Sequence, residues 1–332
     1  MIYNEDRIKY KLEEYFYEES IRADKRFQQV HELYQEIINM IPEKGKLFTG
    51  IKPFTEKVQE LFNKDRENMK DDDYEPIEEE IQKFGIPEEL EKLINMLYVN
   101  DYVDKSFSKA LYMRIKKSEL DSLKKDLTLI LIPSEIKSDK VNAAGAYIDS
   151  IKTVFIFVPH FHTAHTKRQI KELVRYMNTS VSIYHEFTHF FQSTELSKRI
   201  ADKIVDMFFD SFGIDIKRRY EKRNIEIEAY TVNAIVNYIR DMDLEGEDFI
   251  KESYKKSIAF RIVRSDPGLY KIYKQMNRYN KRKVINNLNR IVKYLRNNRK
   301  IIDEIIDNYD DTKFPSKFVD RLMKAFDQME NN

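Results

Sequence analysis

The sequence predicts an α+β fold that is predominantly α-helical, with one small mixed sheet near the middle of the chain. The chain has 332 residues but only 7 Gly and 8 Pro, which are too few turn-forming residues for an all-β sandwich or barrel. Apolar residues recur at three-to-four spacing over most of its length, as in amphipathic helices. β-Branched and aromatic runs cluster only within residues 127–159, so the sheet is expected there.

The first region, residues 1–105, is expected to be helical and acidic. Ile8 and Leu12 begin an apolar pattern with helical spacing. Breaks are expected at residues 42–50 and in the acidic stretch 71–80. The first hundred residues carry 15 Lys and Arg against 24 Asp and Glu. We therefore predict helices with a strongly acidic surface in this region.

Three short runs in the central region, residues 106–245, predict strands. Each is rich in β-branched or aromatic residues and is bounded by polar residues or proline. The runs are LTLILIP at 127–133, AGAYIDS at 144–150 and TVFIFVP at 153–159. Helical spacing resumes after His160 to Thr166, with helix ends expected near Gly213, Gly246 and Pro267.

The last region, residues 246–332, is predicted to be helical and basic. Residues 251–300 carry 16 Lys and Arg against 2 Asp and Glu, with several tyrosines interleaved. Basic side chains with aromatic neighbours can bind phosphates and stack bases, so nucleic acid is a candidate partner through residues 251–300. We favour the alternative, that these charges pair with the acidic region or face solvent.

The absence of cysteine narrows the chemistry. With no Cys in the chain, disulfides, thiolate catalysis and Cys-ligated metal sites are excluded. Any metal site must therefore use His and carboxylate ligands. The first residues do not have the pattern of a signal peptide, and no apolar run has the length of a membrane span. We expect a cytoplasmic protein without membrane contact.

The motif HEFTH at 185–189 is the most informative feature of the sequence. Residues four apart on a helix share one face, so His185 and His189 can bind one Zn²⁺. Glu186 lies beside that face and can take a proton from the attacking water and pass it to the leaving amine. The alternative is a pair of buried histidines with other partners.

A catalytic zinc site needs a third protein ligand. The metzincin pattern requires Gly and His where this chain has Gln192 and Glu195, so that class is excluded. The later helical segment 224–239 offers Glu226 and Glu228, which point about 200° apart on a helix. We favour Glu226, which shares a polar stripe, and keep Glu228 as the alternative.

Residues 141–238 resemble a zincin metallopeptidase of the gluzincin branch. The order of short sheet, HExxH helix and Glu-bearing helix is the same, and the nearest likeness is to compact ImmA/IrrE-type and phage-encoded metallopeptidases. The third-ligand helix of that group reads Glu, two residues, Ala, then Asn or Asp, and here Glu226, Ala229 and Tyr230 occupy these places. The resemblance implies that a strand edge binds the substrate backbone, with Asn142 and Ala143 as candidates. The alternative is that these residues form an ordinary turn before a strand.

Further polar residues are candidates for supporting roles. A side chain that donates to the developing oxyanion is expected in this chemistry, and Tyr230 is the first candidate, followed by His165. The histidines in PHFHTAH, at 160, 162 and 165, fit a second metal site or a polar loop, and we favour the loop. Gln192 lies near the face of His189 and is a candidate for orienting a group that supports a ligand imidazole, with capping or solvent contact as the alternative.

These observations predict a zinc metalloendopeptidase with a regulatory or processing role on a protein or peptide substrate. The rival hypothesis is a structural or nucleic-acid-associated protein, such as a virion component of a phage, with a non-catalytic zinc site. The opposite charges of the two end regions motivate the rival.

Overall fold

A computed structural model describes the chain over nine stretches. They are residues 22–49, 87–99, 102–103, 109–139, 144–176, 179–194, 224–241, 255–276 and 278–307. Over these residues the fold is α+β and mostly helical, with one five-stranded mixed sheet, which confirms the predicted fold class. The predictions for Ile8, Leu12, the stretch 71–80, Gly213 and Gly246 lie outside the described residues.

Helices account for most of the described chain. In chain order they are α1 (Ala23–Lys44), α2 (Glu88–Val99), α3 (Lys167–Tyr176), α4 (Thr179–Ser193), α5 (Asn224–Asp241), α6 (Lys255–Ser265), α7 (Pro267–Gln275), α8 (Arg278–Asn297) and α9 (Arg299–Asp307). No helix in the described stretches is long and apolar enough to cross a membrane.

The sheet has the strand order β1-β2-β3-β5-β4. The strands are β1 (Lys46–Thr49), β2 (Lys109–Ile115), β3 (Leu127–Pro133), β4 (Gly145–Ile148) and β5 (Thr153–Val158). β3 and β5 are parallel, and the other neighbouring pairs are antiparallel. The three predicted strands are confirmed as β3, β4 and β5. The sequence analysis did not predict β1 or β2. β1 is only four residues long, and β2 (KALYMRI) contains Lys109 and Arg114 and is not one of the three β-branched or aromatic runs.

Two helix boundaries show how proline acts in this chain. The sequence predicts that the helix breaks at Pro42, but α1 continues to Lys44 and ends two residues after this proline. Pro42 therefore lies in the last turn of α1. The end expected at Pro267 is confirmed. Asp266 caps α7 by accepting a hydrogen bond from the backbone N–H of Leu269 at 2.7 Å, and Pro267 follows it in the first turn.

Contacts between Cα atoms divide the chain into two compact units. One unit contains the sheet. Its core lies between α2 and one face of the sheet, where alternate residues of three strands are buried. These are Leu90, Leu93, Ile94 and Leu97 from α2, with Ala110, Tyr112, Ile130, Ile132, Phe155 and Phe157 from the strands.

The other unit is helical and contains α1 up to Gln35, α4 from Val181, and α5 to α9. Within it, α5 packs against α6, α7, α8 and α9. Buried apolar side chains such as Val232, Ile235 and Ile239 hold α5 in this position. Both the HExxH helix and the Glu-bearing helix belong to this unit. The three regions predicted at 1–105, 106–245 and 246–332 stay a prediction.

Candidate metal centre

The HExxH segment forms part of helix α4, and its two histidines share one face. Nε2 of His185 and Nε2 of His189 lie 3.1 Å apart, and the ring centroids are 4.8 Å apart. Phe187, Phe190 and Phe191 are buried on the other faces of the helix. The apolar contacts of these faces fix the rotation of α4, so the two imidazoles point to a common position.

Helix α5 brings Glu226 to the same position. Its Oε2 lies 3.5 Å from Nε2 of His185, and its Oε1 lies 3.4 Å from Nε2 of His189. One ligand atom from each of the three residues lies within 4.8 Å of the other two. Among the described residues, this is the only group of three such side chains that could hold a metal ion.

The group matches the requirements of a divalent cation. Two imidazole nitrogens and one carboxylate oxygen are the donor set of a catalytic zinc site, which keeps a fourth position open. Glu226 is only 3% exposed, and its Oε1 has no hydrogen-bond partner among the described residues. A buried carboxylate oxygen without a partner is costly, and a bound cation would remove that cost.

The electrostatics of the group point the same way. Burial lowers the pKa of His189, but the carboxylate of Glu226 outweighs it and raises that pKa to about 9. Burial also raises the pKa of Glu226, whereas the two imidazoles hold it well below its usual range. In the metal-free chain a proton on His189 therefore balances the Glu226 carboxylate, and a cation can take its place.

Glu228, the alternative ligand, faces a different set of side chains. Its Oε2 accepts a hydrogen bond from Nε2 of Gln192 at 2.9 Å, and its Oε1 accepts one from Nε of Arg26 at 3.3 Å. It does not belong to the candidate metal-binding group, which consists of His185, His189 and Glu226. The structure thus brings Glu226, and not Glu228, to the two imidazoles.

Glu186, the expected general base, is buried at 7% exposure. It follows His185 directly on α4. Its charge is one of the causes that raise the pKa of His189. A buried carboxylate next to a metal-binding group suits proton transfer.

Tyr230, the first candidate for oxyanion stabilisation, lies next to His185. The two ring centroids are 5.0 Å apart, with the rings nearly perpendicular. Gly268 of α7 also lies against this ring, since a Cβ atom at that position would come within 2.8 Å of Cε1 of Tyr230. The absence of a side chain at position 268 therefore leaves room for this tyrosine beside the metal-binding group.

The histidines of PHFHTAH belong to the unit that contains the sheet. The backbone N–H of His160 donates to Oε1 of Glu135 at 3.1 Å, and Nδ1 of His162 lies 3.0 Å from the same oxygen. The backbone N–H of His165 donates to the side chain of Gln169 in the first turn of α3. These contacts fit the favoured interpretation of a polar loop, and the three histidines form no metal-binding group in the described residues.

Two predicted site residues lie outside the description. Asn142 and Ala143, the candidates for substrate binding, fall just before the described stretch that starts at Ala144. The strand that follows them, β4, forms one edge of the sheet. A sheet edge is the kind of surface on which an extended peptide can add a strand.

The sequence analysis missed Arg26. This side chain is 1% exposed and reaches Glu228 from α1, in a region that the sequence marked only as helical and acidic. Nothing in the local pattern around position 26 indicates a role near the histidines. By contrast, the contact expected of Gln192 is present, because its Oε1 lies 2.9 Å from Nδ1 of His189.

Comparisons with known proteins give no relative for this chain. No protein-family model matches the chain, and searches of curated proteins and of solved structures found no significant match.

Proposed function

We propose that this chain is a zinc-dependent metalloendopeptidase of the gluzincin type, acting on a protein or peptide substrate. The observation that carries the proposal is the convergence of His185, His189 and Glu226, which come from two helices and offer two nitrogens and one carboxylate within 4.8 Å. The resemblance of residues 141–238 to gluzincins also supports it, through the order and spacing of the motifs that contain these three residues.

In this proposal His185, His189 and Glu226 would hold Zn²⁺. When bound, zinc would supply a Lewis acid that makes water a better nucleophile and polarises the scissile carbonyl. Glu186 would accept the proton of the attacking water and then donate it to the leaving amine. The hydroxyl of Tyr230, next to His185, would donate a hydrogen bond to the oxyanion that develops on the carbonyl oxygen.

The sheet offers a candidate surface for a peptide substrate. Within the described stretches β4 pairs only with β5, and a strand at a sheet edge can accept an extended chain through backbone hydrogen bonds. The large acidic and basic regions that flank the central one suit selection of one protein substrate. A regulatory or processing peptidase, acting in the cytoplasm or with a phage particle, is the role that we propose.

The experiment that tests this function compares two variants in the full chain. Glu186→Gln keeps the size of the side chain but cannot accept a proton, so cleavage of a peptide library should fall at least about 100-fold, with zinc content unchanged. Glu43→Gln alters an exposed carboxylate in α1 and should cleave like the wild type. Equal cleavage by wild type and Glu186→Gln would contradict the proposal, as would a wild type with zinc but no cleavage.

A second candidate function has its own observation. Helix α8 has no Asp or Glu, and its exposed positions include Arg278, Arg282, Arg290 and Lys293. Arg282 and Arg290 also line a surface cavity of about 330 Å³. A cationic helix face of this kind can bind the phosphates of a nucleic acid. It supports the rival hypothesis of a nucleic-acid-associated protein with a non-catalytic zinc site.

Retention of DNA or RNA at increasing salt distinguishes the second candidate. Binding through α8 should weaken steeply with salt and fall further in the double variant Arg282→Glu, Arg290→Glu, while Glu186→Gln binds like the wild type. If the amount of retained nucleic acid changes neither with salt nor in the double variant, α8 is not the contact surface.

A further inference from the structure

A line of hydrogen bonds runs from His189 away from the metal-binding group. Nδ1 of His189 lies 2.9 Å from Oε1 of Gln192, and Nε2 of Gln192 donates to Oε2 of Glu228 at 2.9 Å. Nε of Arg26 then donates to Oε1 of Glu228 at 3.3 Å. All four side chains belong to the helical unit, so the line joins α4 to α5 and α1.

The direction of these hydrogen bonds follows from chemistry. An ionised carboxylate only accepts, so the amide nitrogen of Gln192 faces Glu228 and its carbonyl oxygen faces His189. That oxygen can only accept, so Nδ1 of His189 carries the hydrogen. Nε2 is then the nitrogen left to bind a metal, and it is the one that faces Glu226. The line thus selects the metal-binding form of His189.

Arg26 holds the carboxylate of Glu228 in place. Its side chain is 1% exposed, and a buried guanidinium needs a charged partner, which here is Glu228. Its Nη1 also donates to Oε1 of Gln29 at 3.0 Å, and its guanidinium lies 5.5 Å from the ring centroid of Phe191. These contacts fix the guanidinium from α1 and from the turn of α4 that contains Gln192.

We infer that Arg26 is a positioning residue for the zinc ligand His189, acting through Glu228 and Gln192. The inference rests on the proposed function of the same site. Without Arg26, the carboxylate of Glu228 can turn away from Gln192, and Gln192 can then rotate its amide. A rotated amide would present its NH₂ group to Nδ1 of His189, which would favour the form with hydrogen on Nε2, and that form cannot bind zinc.

The test measures zinc affinity by competition with a chelator, using the full chain. Arg26→Met removes the charge but keeps a long apolar side chain. It should raise the zinc dissociation constant by roughly 10- to 100-fold, which is the usual effect of losing an outer-shell partner. Arg22→Met is the matched control, because Arg22 is exposed and pairs with Asp24. It should change the dissociation constant by less than about twofold.

The double variant Arg26→Met, Glu228→Gln separates positioning from folding. It leaves no buried unpaired charge, so the unfolding midpoint should recover toward that of the wild type. The amide at position 228 can donate as well as accept, so it no longer fixes the direction of Gln192. Zinc affinity should therefore stay weak. Recovery of both quantities would show that Arg26 is only structural and would overturn the inference.

The outcomes also separate this inference from the proposed function. A wild type that binds no zinc would refute both. A wild type that binds zinc and cleaves peptides, together with an Arg26→Met variant of unchanged zinc affinity, would refute the role of Arg26 alone. If Arg26→Met fails to fold, the double variant is compared with Glu228→Gln: equal zinc affinities would support an action of Arg26 through Glu228, and wild-type affinity in the double variant would overturn the inference.

Discussion

Oε1 of Glu226 lies 3.4 Å from Nε2 of His189, is buried, and has no hydrogen-bond partner among the described residues. The contact with His189 therefore does not satisfy this oxygen, although a buried carboxylate normally has partners for both oxygens. Together with His185, these two residues form the group that could hold a metal ion.

The two glutamates of α5 should respond differently to the same substitution. Glu226→Gln removes a proposed ligand, so zinc affinity should fall by more than the roughly 10- to 100-fold that outer-shell changes cost. Glu228→Gln alters only the contact with Gln192 and Arg26 and should stay within that range. Chelator competition measures both, and a greater loss in Glu228→Gln would contradict the assignment of Glu226.

Zinc affinity should rise with pH. The pKa of His189 is about 9 in the metal-free chain, so below that pH zinc must displace a proton from Nε2. One displaced proton makes the affinity increase by about tenfold per pH unit, and the increase should level off near pH 9. Competition titrations from pH 6.5 to 9.5 measure the slope. A flat profile would contradict the ion pair between His189 and Glu226.

The sequence identified the two imidazoles because their spacing is a local property of one helix. HExxH needs only the geometry of a single turn. The choice between Glu226 and Glu228 required the rotation of α5 about its axis, which the packing of four neighbouring helices determines. Arg26 could not be found at all, since its contact with Glu228 joins residues 202 positions apart.

The sheet shows the same division. β3, β4 and β5 have apolar runs that predict strands from their own residues. β1 has only four residues, and it becomes a strand by pairing Leu47 and Phe48 with Leu111 and Ala110 of β2. A strand whose existence depends on its neighbour gives no signal in a single sequence.

Gly268→Ala should disturb Tyr230. A Cβ at position 268 would lie 2.8 Å from Cε1 and 3.1 Å from Cδ1 of the ring, so the ring must move away from its present place beside His185. We expect about 1–3 kcal/mol lower stability and reduced cleavage, with zinc affinity within about twofold of the wild type.

Tyr230→Phe is the control for this steric effect, because it removes the hydroxyl without crowding the ring. It should reduce cleavage by roughly 100-fold, the effect of losing one oxyanion donor, and preserve stability. Normal cleavage by Gly268→Ala would show that the position of Tyr230 does not matter for the reaction.

Lys109→Met should destabilise the unit that contains the sheet. The ammonium group of Lys109 is buried and donates to the backbone carbonyls of Phe161 and Ala164, which belong to the loop with the three histidines. Loss of this donor takes one partner from each carbonyl, and among the described residues the carbonyl of Phe161 keeps only the backbone N–H of Ala164 at 3.3 Å, so the cost should be about 1–3 kcal/mol. Denaturant unfolding measures it, with the exposed Lys124→Met as control. Equal stability of the two variants would refute a structural role for Lys109.

The most direct test of the central claim is a crystal structure of the zinc-loaded chain with anomalous data at the zinc edge. We predict one zinc ion per chain, bonded to Nε2 of His185, Nε2 of His189 and a carboxylate oxygen of Glu226 at about 2.0–2.2 Å. Zinc bound elsewhere, or no zinc between the two imidazoles at saturating concentration, would contradict the account.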